Sequence, residues 1–144
     1  MDKTGFNLHL RRKYGRAQKG NRATISVENS RGKNISICVA MSAEGFLCDR
    51  INPGSYNAEI FFQFLKELFQ HLCQQGRNSC WVIMDNARFH HCAIIHDCAR
   101  RYGHSLIYLP PYSPMLNPIE SLFGKWKTLI RTNGISLIQD QLLL

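Results

Sequence analysis

The sequence predicts a mixed α/β sheet flanked by helices, and three observations predict it. The first half carries short alternating segments broken by turn residues, as an antiparallel meander does. The second half alternates short apolar runs with stretches of helical periodicity, as strand–helix units with parallel pairing do. The chain has 144 residues, 44% hydrophobic and 19% charged, enough apolar material for one buried core and too much for wholesale disorder.

The elements follow in order. Residues 22–28 (RATISVE) alternate apolar and polar and read as a half-buried strand. Ser30 to Lys33 reads as a turn, 34–43 (NISICVAMSA) as a second strand, Glu44-Gly45 as a turn and 46–51 (FLCDRI) as a shorter third strand. Asn52-Pro53-Gly54-Ser55 breaks the chain, and a long helix capped near Ser55 or Asn57 should follow. Its apolar positions, Ile60, Phe61, Phe64, Leu65, Leu68, Phe69 and Leu72, share one helical face, and Gly76 ends it. Residues 80–84 (CWVIM) are a continuous apolar run, expected of a strand buried on both faces, stopped by Asp85 and Asn86. A helix fits 91–102 and ends at Gly103; residues 105–109 (SLIYL) form another buried strand. The loop PPYSPMLNP then leads into a helix over 118–132, with Asn117 as cap and Pro118 at its first position. Leu122, Phe123, Trp126, Leu129 and Ile130 should face inward.

Composition narrows the function. No apolar run reaches the ~18 residues of a membrane-spanning helix. The first apolar stretch is short and runs into Arg11, Arg12 and Lys13, unlike a secretory leader. Six cysteines (Cys38, Cys48, Cys73, Cys80, Cys92 and Cys98) contain no CxxC pair, so free thiols are expected. Cys92 and His96, four apart with His90 and His91 nearby, leave a metal site there as an alternative. The net charge is +8, and residues 1–33 hold nine Lys/Arg against Asp2 and Glu28. A basic segment of this kind, with Phe6 and Tyr14 among the charges, can track phosphates or stand as a solvated loop.

Three acids are candidate site residues. Asp85 ends a buried strand, where open α/β sheets place their sites. Glu120 lies in the first turn of a helix, where the helix dipole favours the ionised carboxylate; its position three after Asn117 also allows a capping box. Asp2, before Gly5-Phe6, carries no signal of its own. Carboxylates grouped in a basic protein suit hard cations such as Mg²⁺, which mediate between acidic side chains and phosphates. Two such ions can clamp the attacking and leaving oxygens of phosphoryl transfer.

VIMDNARFH at 82–90 and YLPPYSPMLNPIESLFGKWK at 108–127 resemble the signature blocks of DDE transposases of the Tc/mariner superfamily. Thirty-four residues separate Asp85 from Glu120, a spacing typical of that superfamily, and MDKTGFNLHLRRKYGRAQKG resembles its first block. The resemblance runs from Asp2 to about Arg131. It implies an RNase H-like fold over 1–144, with Asp2, Asp85 and Glu120 as catalytic triad and metal ligands. Two Mg²⁺ or Mn²⁺ ions, DNA cleavage by water and strand transfer by a freed 3′-hydroxyl are implied with it. Asn86 and His90 fall beside the site, orienting a carboxylate or touching DNA. Arg11, Arg12, Lys13, Arg16, Lys19, Lys125 and Lys127 are the expected contacts to double-stranded transposon-end and target DNA. Homo-oligomers on DNA are implied, in the nucleus of a eukaryote or the cytoplasm of a bacterium.

Three departures stand beside the resemblance. An N-terminal helix-turn-helix region is expected to be absent, Lys3 follows the first Asp where relatives often carry Glu, and the first strand should be largely missing. A fragment or mis-started copy is expected, so an inactive or domesticated remnant that binds DNA without cutting is the alternative. A nuclease acting on RNA–DNA hybrids is a third, which the proline block argues against.

Overall fold

A computed structural model of the chain describes residues 1–7, 15–24 and 34–133. Strands β1 (Asp2–Asn7), β2 (Asn34–Ser42) and β3 (Gly45–Pro53) form an antiparallel sheet in that order. Helix α1 (Ala58–Gln74) leads to β4 (Trp81–Met84), and α2 (Ala93–Arg101) crosses from β4 to its parallel partner β5 (Ser105–Tyr108). Short 3₁₀ turns at Arg88–His91 and Pro114–Leu116 precede α2 and α3 (Pro118–Asn133). The Met1 backbone nitrogen donates to the Ile83 carbonyl at 2.6 Å, so β1 begins against β4.

Helices cover both faces of the antiparallel sheet. Alternation along β2 sends Cys38 and Ala40 toward α1 and α2, and Ile37 and Val39 toward α3. The larger core is built on Phe61, Phe64, Leu65, Leu68, Phe69 and Leu72 of α1, with Met84, Ile95 and Cys98. The smaller joins Phe6, Ile37 and Val39 to Ile119, Phe123 and Ile130. Asn57 caps α1, its Oδ1 accepting from the Ile60 N–H at 2.9 Å, and Gly76 turns the chain after it with φ +69°. Among the described residues no helix is long and apolar enough to cross a membrane.

Four expectations need correction. Among the described residues the meander opens with Asp2–Asn7, and β2 pairs with β1 from Asp2↔Val39 to Asn7↔Asn34. Residues 22–24 are irregular and exposed, and 25–28 lie outside the described residues. DKTGFN is too polar to announce a strand, and its conformation comes from pairing with β2. A first strand is thus present after Asp2, while Met1 alone lies against β4. β4 is not buried on both faces, because Trp81 and Ile83 remain 67% and 47% exposed while Val82 and Met84 are buried. β5 is likewise only half-buried, with Ile107 exposed. Leu129 faces outward on α3.

Candidate active site

Three separate elements deliver the acids to one cavity. Asp2 opens β1, Asp85 follows β4, and Glu120 lies in the first turn of α3. All three line a cavity of about 390 Å³, closed on one side by the loop from Leu109 to Pro114. Asn86, Ala87 and Asn117 complete its wall. The cavity lies beyond the C-terminal ends of the parallel pair β4–β5, where the strand carbonyls end and the chain turns away.

Asp2 is 4% exposed, and both of its oxygens have donors. Oδ1 accepts from the Lys3 N–H at 2.6 Å, and Oδ2 from the Asn117 side-chain amide at 2.7 Å. Burial pushes the Asp2 carboxyl up to about 6; the charges of Asp85 and Glu120 add to the rise, against the pull of the Lys3 N–H. Asn117 therefore does more than start α3. Its carbonyl takes the Glu120 N–H at 3.1 Å, as expected of a cap residue, while its amide anchors Asp2 across 115 positions of sequence. Asn117→Ala should leave Asp2 without this donor and cost about 1–3 kcal/mol in chemical unfolding at neutral pH.

Asp85 is held by His90. The imidazole is fully buried, stacked on Phe61 with centroids 4.1 Å apart and set against the edge of Phe89 at 4.2 Å. Its Nδ1 lies 2.8 Å from Asp85 Oδ1 and 3.1 Å from the Asp85 backbone oxygen. The geometry favours the backbone oxygen, so Oδ1 is buried without a hydrogen bond of its own. Burial opposes ionisation of Asp85, but the His90 ring and then the Lys3 ammonium hold it below the usual carboxylate range. His90 is fully buried beside the Asp85 carboxylate. Asn86 is exposed on the cavity wall, and its Oδ1 is paired with the His91 ring.

The donor set fits a hard divalent cation. Three carboxylates line one water-accessible space. Among the described residues no three His, Cys, Asp or Glu side chains form a tight ligand cluster. Mg²⁺ keeps several waters and takes one or two protein carboxylates with substrate phosphates. The alternative site at Cys92 and His96 is not assembled among the described residues: no three His, Cys, Asp or Glu side chains group there, and His96 Nε2 lies 3.1 Å from the Tyr108 hydroxyl.

Opposite shifts at the two aspartates separate their effects on stability. For Asp2 the folded pKa of about 6 lies above the ordinary 3.8. The folded chain binds more protons than the unfolded chain between these values, so stability falls as pH rises from about 4 to about 6. Asp85, shifted down, acts only at lower pH. Cation-free protein should lose stability across that window, and Asp2→Asn should flatten the slope in urea unfolding at a series of pH values. Equal slopes in the two proteins would exclude Asp2 as the group responsible.

The other predicted residues are distributed around this centre. Arg16 and Lys19 are exposed, as is Lys125 on α3, while Lys127 is half-buried. Arg11, Arg12 and Lys13 lie outside the described residues. Sequence reading missed two neighbours of the site. Lys3 sits with its Nζ 4.5 Å over the Phe89 ring and biases Asp85, a placement set by tertiary packing alone. Asn117 gave a cap signal, and nothing local marked its amide as the anchor of Asp2.

Sheet order and helix placement define an RNase H-like α/β domain. Solved structures of the Mos1 transposase share this fold. The paired-end complex with the left transposon end superposes with a TM-score of 0.76 at 22% identity, covering 98% of this chain and 45% of that one. The Mos1 mariner paired-end complex with Mg gives 0.71 at 21% identity, covering 88% and 40%. The catalytic domain of Mos1 mariner transposase gives 0.64 at 21% identity, covering 76% and 60%. The sequence model of the DDE superfamily endonucleases matches residues 1–142, and the chain belongs to that family. It spans less than half the length of the Mos1 transposase chain in the paired-end complex. A comparison with curated protein sequences gives no match.

Proposed function

We propose that residues 1–144 form the catalytic domain of a Tc/mariner-type DNA transposase, cleaving phosphodiesters and transferring strands on transposon-end DNA. The observation that carries this reading is the meeting of Asp2, Asp85 and Glu120 at one cavity from three distant parts of the chain. Membership of the DDE endonuclease family, and a fold shared with Mos1 transposase bound to transposon DNA, support it. Structures of the Mos1 mariner paired-end complex with Mg and with Mn support the choice of ion.

In this reading Asp2, Asp85 and Glu120 hold two Mg²⁺ or Mn²⁺ ions. Such ions, when bound, supply Lewis-acid stabilisation of the attacking and leaving oxygens. The chain's own part is positioning. Asn117 fixes the rotamer of Asp2, and His90, clamped between Phe61 and Phe89, fixes Asp85. Glu120, exposed at the start of α3, is the adjustable third carboxylate. Arg11, Arg12, Lys13, Arg16, Lys19, Lys125 and Lys127 bind the phosphates of duplex DNA, with two or more copies of the chain holding paired ends. The work is done in the nucleus of a eukaryotic host or the cytoplasm of a bacterial one.

Purified chain incubated with supercoiled plasmid should produce nicked circles in Mg²⁺ or Mn²⁺ and none in EDTA. Absence of nicking with both ions, or nicking that survives EDTA, overturns the enzyme reading. DNA binding with steep salt dependence but no cleavage would identify the alternative, a transposase remnant acting as a DNA-binding module. The saturation of both Asp2 oxygens by protein donors is the observation that favours that second reading.

A further inference from the structure

Tyr112 stands where the fold gains nothing from a tyrosine. Its side chain is 98% exposed, and its backbone adopts φ +58°, the left-handed region that bulky L residues avoid. Seven described residues have positive φ in that region; five are glycines, and the only other exception is the small Ser79. Glycine at 112 would satisfy the backbone at no steric cost, and the exposed ring adds no packing. Both penalties point away from a structural role, and strained positions of this kind gather at functional sites.

The surroundings indicate what the ring meets. Tyr112 lines the same cavity as Asp2, Asp85 and Glu120. It is stiffened by Pro110, Pro111 and Pro114, and the Ser113 hydroxyl donates to the Pro111 carbonyl at 3.3 Å. A rigid aromatic at the rim loses little conformational freedom on binding. Every nucleobase has a face that can stack on such a ring, provided that face is free of its neighbours in the duplex.

We propose that Tyr112 is a stacking platform for an unpaired or strand-end nucleobase beside the phosphodiester held at the acidic cavity. This rests on the nucleic-acid reading of the site. It adds a substrate class: DNA with a base free to leave the stack, at a nick, an overhang or a distorted end. The strained loop holds the ring outward before DNA arrives, and stacking sets which phosphate comes to rest at the carboxylates.

The test uses the full chain and a duplex with a short single-stranded overhang carrying 2-aminopurine, whose fluorescence falls when the base stacks on an aromatic ring. Wild type, Tyr112→Phe and Tyr112→Trp should quench the probe. Tyr112→Ala and Tyr112→Gly should not, and should bind the overhang about fivefold to a hundredfold more weakly. Blunt duplex should be bound almost equally by all five proteins. Tyr112→Gly should keep or raise the Tm, since it relieves the backbone. Equal quenching and affinity in wild type and Tyr112→Ala would overturn the stacking role while leaving DNA binding standing. A Tm several degrees lower in Tyr112→Gly would overturn it by revealing a structural role. Failure of wild type to bind either DNA at low salt would defeat the nucleic-acid reading and this proposal together.

Discussion

Asp85→Ala and Glu120→Ala should each lower Mg²⁺-dependent nicking by about a hundredfold to a thousandfold or more, the range for loss of one preorganised electrostatic contact at a reacting centre. The two variants approach the site differently. Glu120 is exposed, so its loss should change stability by no more than about 0.5 kcal/mol. Removing its charge should even ease the ionisation of Asp2, which it opposes. Activity would then vanish from a protein whose Tm is unchanged. Asp85→Ala removes the partner of buried His90 as well, and a modest loss of stability should accompany the loss of cleavage. DNA binding should survive both changes or tighten, because each removes a negative charge from a surface that meets phosphates. Cleavage that persists at the wild-type rate in either variant would show that the chemistry happens elsewhere.

Phe61→Ala should be the most damaging change away from the carboxylates, costing about 3–5 kcal/mol. The ring is fully buried and packs on Phe64, Phe89 and His90, with centroids 6.4, 5.4 and 4.1 Å away. Its removal opens a void at the middle of the α1 core, and the surroundings can relax only in part. Domains of this size are stable by only about 5–15 kcal/mol, so the variant should show a clearly lower urea midpoint. The same void lies under His90, so cleavage should fall by more than the folded fraction explains. Phe61→Leu keeps most of the volume and should recover much of the stability, but not the flat surface on which the imidazole stacks. A cost below about 1 kcal/mol for Phe61→Ala would contradict the packing described for α1.

Local chemistry made much of the architecture legible. The apolar spacing from Ile60 to Leu72 fixes a helical face, and Asn57 and Gly76 fix its ends. Pro118 after Asn117 fixes the start of α3 in the same way. Asp85 was readable because a short apolar run must stop at such a residue, and Glu120 because it follows a proline-rich entry to a helix. Asp2 was readable only through the resemblance of its block to Tc/mariner transposases. β1 itself was illegible, since DKTGFN has neither the alternation nor the apolar content of a half-buried strand. The exposed face of β4 was misread for a related reason: a run such as CWVIM reports hydrophobicity, but burial depends on whether another element covers each face.

The sequence by itself determined the helices, the cap of α1, the meander-then-alternation plan and the positions of Asp85 and Glu120, because propensity, periodicity and turn chemistry act over a few neighbouring residues. Only the tertiary structure decided that β2 pairs with Asp2–Asn7, that Asn117 donates to Asp2, that Lys3 and His90 bias Asp85, and that Tyr112 points into solvent at the cavity rim. Each of these is a relation between groups far apart in the chain. It is set by how sheets and helices pack, and no local pattern encodes the distance between them.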